Sequence, residues 1–335
     1  MHKLRTALVV MAGLSFALPA LAAAAPAAIV KRIPGPDGGW DLVSVDPATH
    51  QLFVARSDGV MVVDLRTGAV KPAFLKTGRL HGVLAVPGTN IGLATSGPSN
   101  TAILFDTRTG AVRAQLPTGA SPDAVVYEPV SRRVWVMNAH DGTITIIDPI
   151  AAKAEASLTI GGGLELAALD GRGHLFVNVE DKNELVEVDL KRRTVMRRVA
   201  LVGCDGPTGL ALVHPAILIS ACANGVATLV KAASGKQIGS LAIGPGADGA
   251  FADPARGLAY IPSGGDGSLT VIDTRGSLPR VVQKLATQAG ARTGTVDPST
   301  GLVYLPTARF GPPAAPGQRP RAEPGSFELL VVGHP

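Results

Sequence analysis

Seven polar or charged residues recur once in each period of a repeat, and they carry the chemistry that the chain could perform. Each stands five residues before an Asp-Pro dipeptide or its equivalent, and they are Asp41, His81, Asp123, Glu165, Thr208, Asp248 and Arg292. Carboxylate oxygens suit a hard cation such as calcium, whereas a histidine beside carboxylates also accepts zinc or another transition metal. Because clustered carboxylates repel one another, we expect at least one of them to have a raised pKa.

Three interpretations of these residues stay open at the level of sequence. They form a binding site for a small ligand or a divalent metal ion, the candidate metal ligands being Asp41, His81, Asp123, Glu165 and Asp248. Alternatively, they bond their own turns and line a water-filled funnel. In the third interpretation a pair of carboxylates orients a cation or activates water, His81 is the acid or base, and Arg292 faces an oxyanion.

A second row of polar residues ends the second strand of each period and is expected on the same face. Its members are Arg56, Ser96, Asn138, Asn178, Ser220, Ser263 and Thr307. They can supply hydrogen bonds around the first row. We include Arg56 and Asn138 in the predicted ligand-binding set.

The elements that position these residues are short strands repeated at a constant interval. Apolar runs of four to six residues alternate with Gly, Pro, Asp and Asn, and the third run of each period ends at Asp64, Asp106, Asp148, Asp189, Lys231 and Asp273. The spacing of these ends is 42, 42, 41, 42 and 42 residues. Four strands in about 42 residues are typical of a propeller blade, and helical periodicity is absent. The sequence therefore predicts an all-β, seven-bladed β-propeller with four-stranded antiparallel blades.

The two ends of the chain are expected to close this ring. The seventh period has strands near Thr295, at Leu302 to Leu305 and at Glu328 to Val332, but it lacks an outer strand. An unmatched strand at Ile29 to Ile33 can pair with the last of these and remove an open edge.

The first residues have the features of a secretory signal peptide. Lys3 and Arg5 precede an apolar run that ends in small residues, so we assign residues 1–25 to the signal peptide and residues 26–335 to a single propeller domain. Its removal lowers the formal net charge from +5 to +3. No further stretch is long and apolar enough to span a membrane, so export predicts a periplasmic or secreted protein.

The repeat resembles the YVTN or YncE-like family of bacterial propellers. The similar phrases are Leu-Phe-Val-Ala at 52–55, Val-Trp-Val-Met-Asn at 134–138 and Gly-Thr-Ile-Thr-Ile-Ile-Asp at 142–148. The resemblance covers nearly the whole mature chain and implies the propeller fold. It implies several activities, because such repeats occur in surface proteins, periplasmic proteins, lactonase-like enzymes and quinoprotein dehydrogenase subunits.

Function is therefore expected in one of two main classes, and an accessory role in electron transfer, which would need a cofactor carried elsewhere, is the third. The first is an exported binding or scaffold protein whose channel mouth holds a small molecule, a metal ion or a periplasmic protein. The alternative is a lactonase-like hydrolase or lyase that uses the same carboxylate and histidine site, with a divalent metal ion as the candidate cofactor. The scattered positive charge and the 4% of aromatic residues give no support to nucleic-acid binding, and we expect a monomer.

Two further features are expected on the face of the channel mouth. Cys204 and Cys222 are predicted to form a disulfide because export favours oxidation. A loop at 308–325 in blade seven replaces a connection of four to six residues, so it is either a floppy insertion or a lid with arginines that attract an anion.

Overall fold

The structure is a computed structural model that describes residues 26–214, 216–312 and 320–334. Within these residues, 28 strands form seven antiparallel sheets of four strands, and the only helix is a 3₁₀ turn at Glu180–Lys182. In six sheets the four strands follow one another along the chain. The architecture is the seven-bladed β-propeller that the repeat predicts.

Blades one to three are built from consecutive strands. Blade one contains β2 (Trp40–Asp46), β3 (Gln51–Arg56), β4 (Gly59–Asp64) and β5 (Val70–Lys76). Blade two contains β6 (Val83–Ala85), β7 (Ile91–Ser96), β8 (Thr101–Asp106) and β9 (Val112–Pro117). Blade three contains β10 (Pro122–Glu128), β11 (Arg133–Asn138), β12 (Thr143–Asp148) and β13 (Lys153–Thr159).

Blades four to six repeat this order. Blade four contains β14 (Leu164–Leu169), β15 (His174–Val179), β16 (Glu184–Asp189) and β17 (Thr194–Ala200). Blade five contains β18 (Pro207–Val213), β19 (Ile217–Cys222), β20 (Val226–Lys231) and β21 (Lys236–Ala242). Blade six contains β22 (Phe251–Asp253), β23 (Leu258–Ser263), β24 (Ser268–Asp273) and β25 (Arg280–Ala286).

Blade seven joins the two ends of the chain. It consists of β26 (Thr295–Val296), β27 (Val303–Thr307), β28 (Glu328–Gly333) and, on its outer side, β1 (Ala28–Pro34). Strand β1 pairs antiparallel with β28, which confirms the predicted closure and lengthens the expected strand by one residue at each end. The side chain of Gln283 adds two hydrogen bonds to the backbone of Ala27, so the N-terminal segment is also held by blade six.

The core lies between the blades. The second and third strands of most blades are buried along nearly their whole length because each blade packs against two neighbours, whereas outer strands such as β13 and β17 alternate exposed and half-buried residues. Between blades one and two, Phe53 and Phe105 pack with ring centroids 6.1 Å apart. The first strands contact each other in sequence from β2 round to β26, and β26 contacts β2. Their N-terminal ends therefore surround a central axis.

The Asp-x-x-Thr-Gly phrases form turns. Oδ1 of Asp64 accepts hydrogen bonds from the backbone N–H groups of Arg66 and Thr67 at 2.9 and 3.0 Å, and Gly68 follows with a φ of 78°. Asp106 repeats the arrangement with the two residues that follow Thr107. These aspartates hold the turns together, as their sequence pattern predicts.

The disulfide between Cys204 and Cys222 is present. Cys204 lies in the loop before β18, and Cys222 is the last residue of β19 rather than the residue after it. The bond joins the loop at the mouth of blade five to the neighbouring strand of the same blade.

The long loop of blade seven is partly described. Its two arms are linked by the backbone hydrogen bonds Gly311 N to Arg321 O and Glu323 N to Arg309 O, at 3.1 and 2.8 Å. Residues 313–319 lie outside the described residues, as does the predicted signal peptide at 1–25. Among the helices of the described chain, none has the length and apolar character needed to cross a bilayer.

Candidate functional site

The first-row residues gather at the start of the innermost strands. Asp41, Asp123, Glu165 and Thr208 are each the second residue of β2, β10, β14 and β18. In all four strands the pairing register shifts at or just after that residue. A bulge of this kind turns the strand and redirects a side chain, so these residues leave the sheet where the strand reaches the channel.

The other three first-row residues stand just before short inner strands. His81 is two residues ahead of β6, while Asp248 and Arg292 are each three residues ahead of β22 and β26. Backbone hydrogen bonds join neighbouring blades at these positions. Leu42 N donates to His81 O at 3.0 Å, and Asp248 N donates to Arg292 O at 3.3 Å. The mouth of the channel is therefore fixed by contacts between blades.

Side chains reinforce these links. Thr95 donates to the carbonyl oxygen of Asp123 at 2.6 Å, and Thr293 donates to that of Asp41 at 3.0 Å. Thr208, which is buried, donates to the carbonyl oxygen of Ala247 at 2.9 Å. Each bond joins one blade to the next, so the backbone that carries the site is held in place before any ligand arrives.

Three of the predicted metal ligands converge. Nδ1 of His81 lies 2.9 Å from Oδ2 of Asp41 and 4.0 Å from Oδ1 of Asp123. Among the described residues, these three form the one group of at least three His, Cys, Asp or Glu side chains whose candidate ligand atoms all lie within 4.8 Å of one another. Their side chains retain 18%, 14% and 25% of their exposure, so solvent reaches the group.

Three carboxyl groups of the mouth, those of Asp123, Glu165 and Asp248, have raised pKa values. Burial, together with the negative charges of Asp41 and Asp248, raises the pKa of Asp123 to about 7. Burial and the charges of Asp123, Asp248, Glu180 and Asp41 raise the pKa of Glu165 to about 10. The sequence predicted a raised pKa for at least one carboxyl group, and both Asp123 and Glu165 have one.

His81 and Asp248 each pair with a residue of the opposite charge type. The hydrogen bond with Asp41 raises the pKa of His81, and burial opposes this rise. Asp248 pairs with Arg292 through Nε and Oδ2 at 2.8 Å. Burial raises the pKa of Asp248 to about 6, although the charge of Arg292 acts in the other direction. Asp248 and Glu165 stand outside the group of three potential ligands.

The two second-row residues of the predicted ligand set are buried and bonded elsewhere. Nη2 of Arg56 donates to the carbonyl oxygens of Pro36 and Asp37 at 2.6 and 2.8 Å, and its guanidinium lies 4.1 Å from the ring centre of Phe327. Nδ2 of Asn138 donates to Thr143 and Thr145, both at 2.9 Å. A contact between either side chain and a ligand at the mouth stays a prediction.

Some residues of the site are absent from the sequence-based set. Arg79, an exposed residue, lies close enough to act on the charges of both His81 and Asp123, and Glu180 acts on Glu165 and Asp248. Gly97 lies against the imidazole, because a Cβ atom at that position would be 2.8 Å from Nε2 of His81. Arg79 could have been found from its place two residues before His81, but the approach of Gly97 has no signal in a single sequence.

The arrangement allows two kinds of chemistry. Three donors of mixed nitrogen and oxygen type can hold a divalent cation and leave coordination positions open. A carboxyl group with a pKa of about 7, beside an imidazole held by a carboxylate, can also transfer protons near neutral pH.

No protein-family model and no curated protein sequence matches the chain. Solved structures match it in fold. Hydrazine synthase of Kuenenia stuttgartiensis is similar with a TM-score of 0.69 and 16% identity, over 82% of this chain and 92% of that one. The WD40 repeats of RRP9 give a TM-score of 0.78 at 9% identity over 93% and 99% of the chains, and U3-55K gives 0.75 at 8% identity over 90% and 97%. At these identities the likeness establishes the seven-bladed propeller fold alone.

Proposed function

We propose that the protein is an exported binding protein that holds a divalent transition-metal ion at the mouth of its channel, with Asp41, His81 and Asp123 as ligands. The observation that carries the proposal is the approach of Nδ1 of His81 to carboxylate oxygens from two neighbouring blades, at 2.9 and 4.0 Å. A tetrahedral ion with bonds of about 2.0–2.2 Å has ligand atoms roughly 3.3–3.6 Å apart. The two distances bracket this value, so small rotations of the carboxylates suffice.

The donor set favours particular ions. An imidazole nitrogen suits zinc, copper, nickel or iron, whereas calcium and magnesium prefer oxygen alone. Two carboxylates balance the charge of a divalent ion, which would offset the burial and the charge repulsion that now raise the pKa of Asp123. Three protein ligands leave room for water or a small molecule, and the chain's rigid inner ring would fix their orientation.

Export is part of the same proposal. The features of residues 1–25 support a signal peptide, and the disulfide is consistent with an oxidising compartment such as the periplasm. The resemblance of the repeats to the YVTN or YncE-like propellers supports the same location. A small molecule bound through the metal ion, or a periplasmic protein, would be the partner.

Calorimetric titration of the metal-free mature chain with zinc, manganese and calcium tests the proposal. We expect one zinc ion per chain, with binding lost in His81→Ala and weakened at least tenfold in Asp123→Asn. His174→Ala is the matched control, since His174 also bonds an aspartate, Asp170 at 2.7 Å, but belongs to no group of three described ligands. Absence of zinc binding by the wild type, or equal affinity in His81→Ala, would contradict the proposal.

A hydrolase or lyase is the second candidate, and one observation favours it. Asp41 bonds His81 while Asp123 has a pKa of about 7, which gives an oriented imidazole beside a carboxyl group that exchanges protons near neutral pH. A panel of lactones and esters should then show turnover that depends on His81 and Asp123. If His81→Ala and Asp123→Ala turn over these substrates as fast as the wild type does, this candidate is wrong.

A further inference from the structure

A groove of about 680 Å³ opens between blades six and seven, away from the residues of the channel mouth. Its apolar wall is formed by Leu258, Val271, Val282 and Leu302. A volume between 300 and 1,000 Å³ is typical of sites for small molecules. The groove is therefore large enough for a ligand with an apolar chain.

Arginines border the apolar wall. Arg256, Arg275 and Arg280 line the groove together with Asp273. Arg256 is paired with the buried Asp253, whereas Arg275 and Arg280 share Asp273. One positive charge of this group is therefore in excess.

The shared aspartate leaves donors available. Arg275 binds Asp273 through Nε and Nη2, and Arg280 binds it through Nη2 alone. Their side chains are 66% and 72% exposed, so Nη1 of the first and Nε and Nη1 of the second can turn toward a ligand.

A groove between blades four and five provides a comparison. It has a volume of about 540 Å³ and is lined by Asp170, His174, Glu187 and Arg197, among others. There each carboxylate has its own basic partner, His174 for Asp170 and Arg197 for Glu187. The combination of an apolar wall with an arginine pair that shares one carboxylate distinguishes the groove between blades six and seven.

The geometry points to a binding site for a small amphiphilic anion, a carboxylate with an unbranched apolar chain, in the groove between blades six and seven. The chain lies along Leu258, Val271 and Leu302, and the carboxylate accepts hydrogen bonds from Arg275 and Arg280. Blade two also has two arginines, Arg108 and Arg113, about one aspartate, so the pair alone belongs to the turn. In blade six, Arg256 and the apolar wall stand beside the arginine pair, and together they form the proposed binding site.

Calorimetric titration of the mature protein with decanoate, below its micellar concentration, tests this site. We expect saturable binding of one decanoate per chain and no binding of decyltrimethylammonium, which has the same chain and the opposite charge. Arg280→Gln should weaken decanoate about tenfold, because it removes a charged donor while Arg275 still holds Asp273. Arg113→Gln in blade two is the matched control and should leave the affinity unchanged.

A second variant tests the apolar wall without touching an ion pair. Val282→Glu places a carboxylate on the wall at a side chain that is already 47% exposed, so folding is preserved and decanoate binding should be lost. Val112→Glu makes the same change at a valine that is 48% exposed on β9 and should have no effect. The inference is overturned if decanoate does not saturate, if decyltrimethylammonium binds equally, or if Arg280→Gln and Val282→Glu both bind like the wild type.

Discussion

Asp41 and His81 belong to different blades, yet their side chains meet beside a backbone hydrogen bond that joins the same two blades. The carbonyl oxygen of His81 accepts a hydrogen bond from the backbone of Leu42 at 3.0 Å, and its imidazole Nδ1 lies 2.9 Å from Oδ2 of Asp41. The backbone contact between the inner strands therefore fixes the distance at which the two side chains meet. Packing blade one against blade two therefore also assembles this part of the site.

Replacing Asp41 with asparagine should lower the pKa of His81 in the metal-free protein. The hydrogen bond with Asp41 is the largest cause of the raised pKa of His81, and the amide cannot replace its charge. A raised folded pKa contributes stability below the unfolded value near 6.5, and this is lost as pH rises through the folded pKa. Asp41→Asn should thus cost about 1 kcal/mol near pH 6 and less near pH 9.

The imidazole proton signals in nuclear magnetic resonance titrations measure that pKa, and urea unfolding at the two pH values measures the stability. Asp170→Asn provides the control, because it removes a similar bond to His174 away from the mouth. An unchanged His81 titration in Asp41→Asn would show that the bond does not govern its proton.

Replacing Glu165 with glutamine should stabilise the protein at neutral and alkaline pH. Burial raises the pKa of Glu165 from 4.5 to about 10, so the folded state retains a proton that the unfolded state releases. Stability from this group is greatest below pH 4.5 and falls as pH rises toward 10. The amide removes that loss because it carries no ionisable proton.

We expect the melting temperature of Glu165→Gln to exceed that of the wild type by several degrees at pH 8, since about 1 kcal/mol corresponds to roughly 2–4 °C in a large domain. The two proteins should converge at pH 4.5. Glu184→Gln, at a carboxylate paired with Arg198, is the control and should show no such rise. A difference that is independent of pH would contradict the assignment of a protonated Glu165.

Reduction of the disulfide should destabilise blade five. Cys204 and Cys222 enclose a loop of 18 residues, for which the chain-entropy estimate is about 3 kcal/mol. Guanidinium unfolding with and without a reducing agent measures the change. The stability of the Cys204→Ala, Cys222→Ala double variant should be the same with and without the reducing agent. If the reductant lowers the stability of that double variant equally, the effect has another origin.

The repeat predicted most of the scaffold because its turns are local. The third strands end at the residues that the spacing identified, from Asp64 to Asp273, since aspartates such as these two hold their turns through short-range hydrogen bonds. The closure by β1 and the disulfide were also predicted, because an unmatched strand and an exported pair of cysteines each have one obvious partner.

Periodicity places a residue in a blade but does not say which neighbour its side chain will meet. The pairing of His81 with Asp41 depends on the bulge at the start of β2 and on side-chain rotamers, and that of Arg292 with Asp248 depends on rotamers. Arg56 occupies the expected strand end, yet its guanidinium stacks on Phe327, a residue that is distant in the sequence. Such contacts follow from the packed ring and cannot be read from the spacing.

Gly97 provides a test of the site that leaves all three ligands unchanged. A Cβ atom at this position would lie 2.8 Å from Nε2 of His81, so Gly97→Ala must change the position of the imidazole relative to Asp41 and Asp123. We expect zinc affinity to fall roughly tenfold or more, as for other residues that orient a metal ligand. Gly78→Ala is the matched control, because a Cβ at Gly78, three residues before His81, meets no atom within 4 Å.

Calorimetric titration should therefore show weaker zinc binding by Gly97→Ala than by Gly78→Ala. The melting temperatures of both variants in the absence of metal should stay within a few degrees of the wild type. The imidazole signals of Gly97→Ala should also titrate at a different pH, since moving the ring changes the bond with Asp41 that raises the pKa of His81. Equal zinc affinity in Gly97→Ala and Gly78→Ala would mean that the position of the His81 ring does not control the ion. The metal would then have to bind elsewhere in the chain.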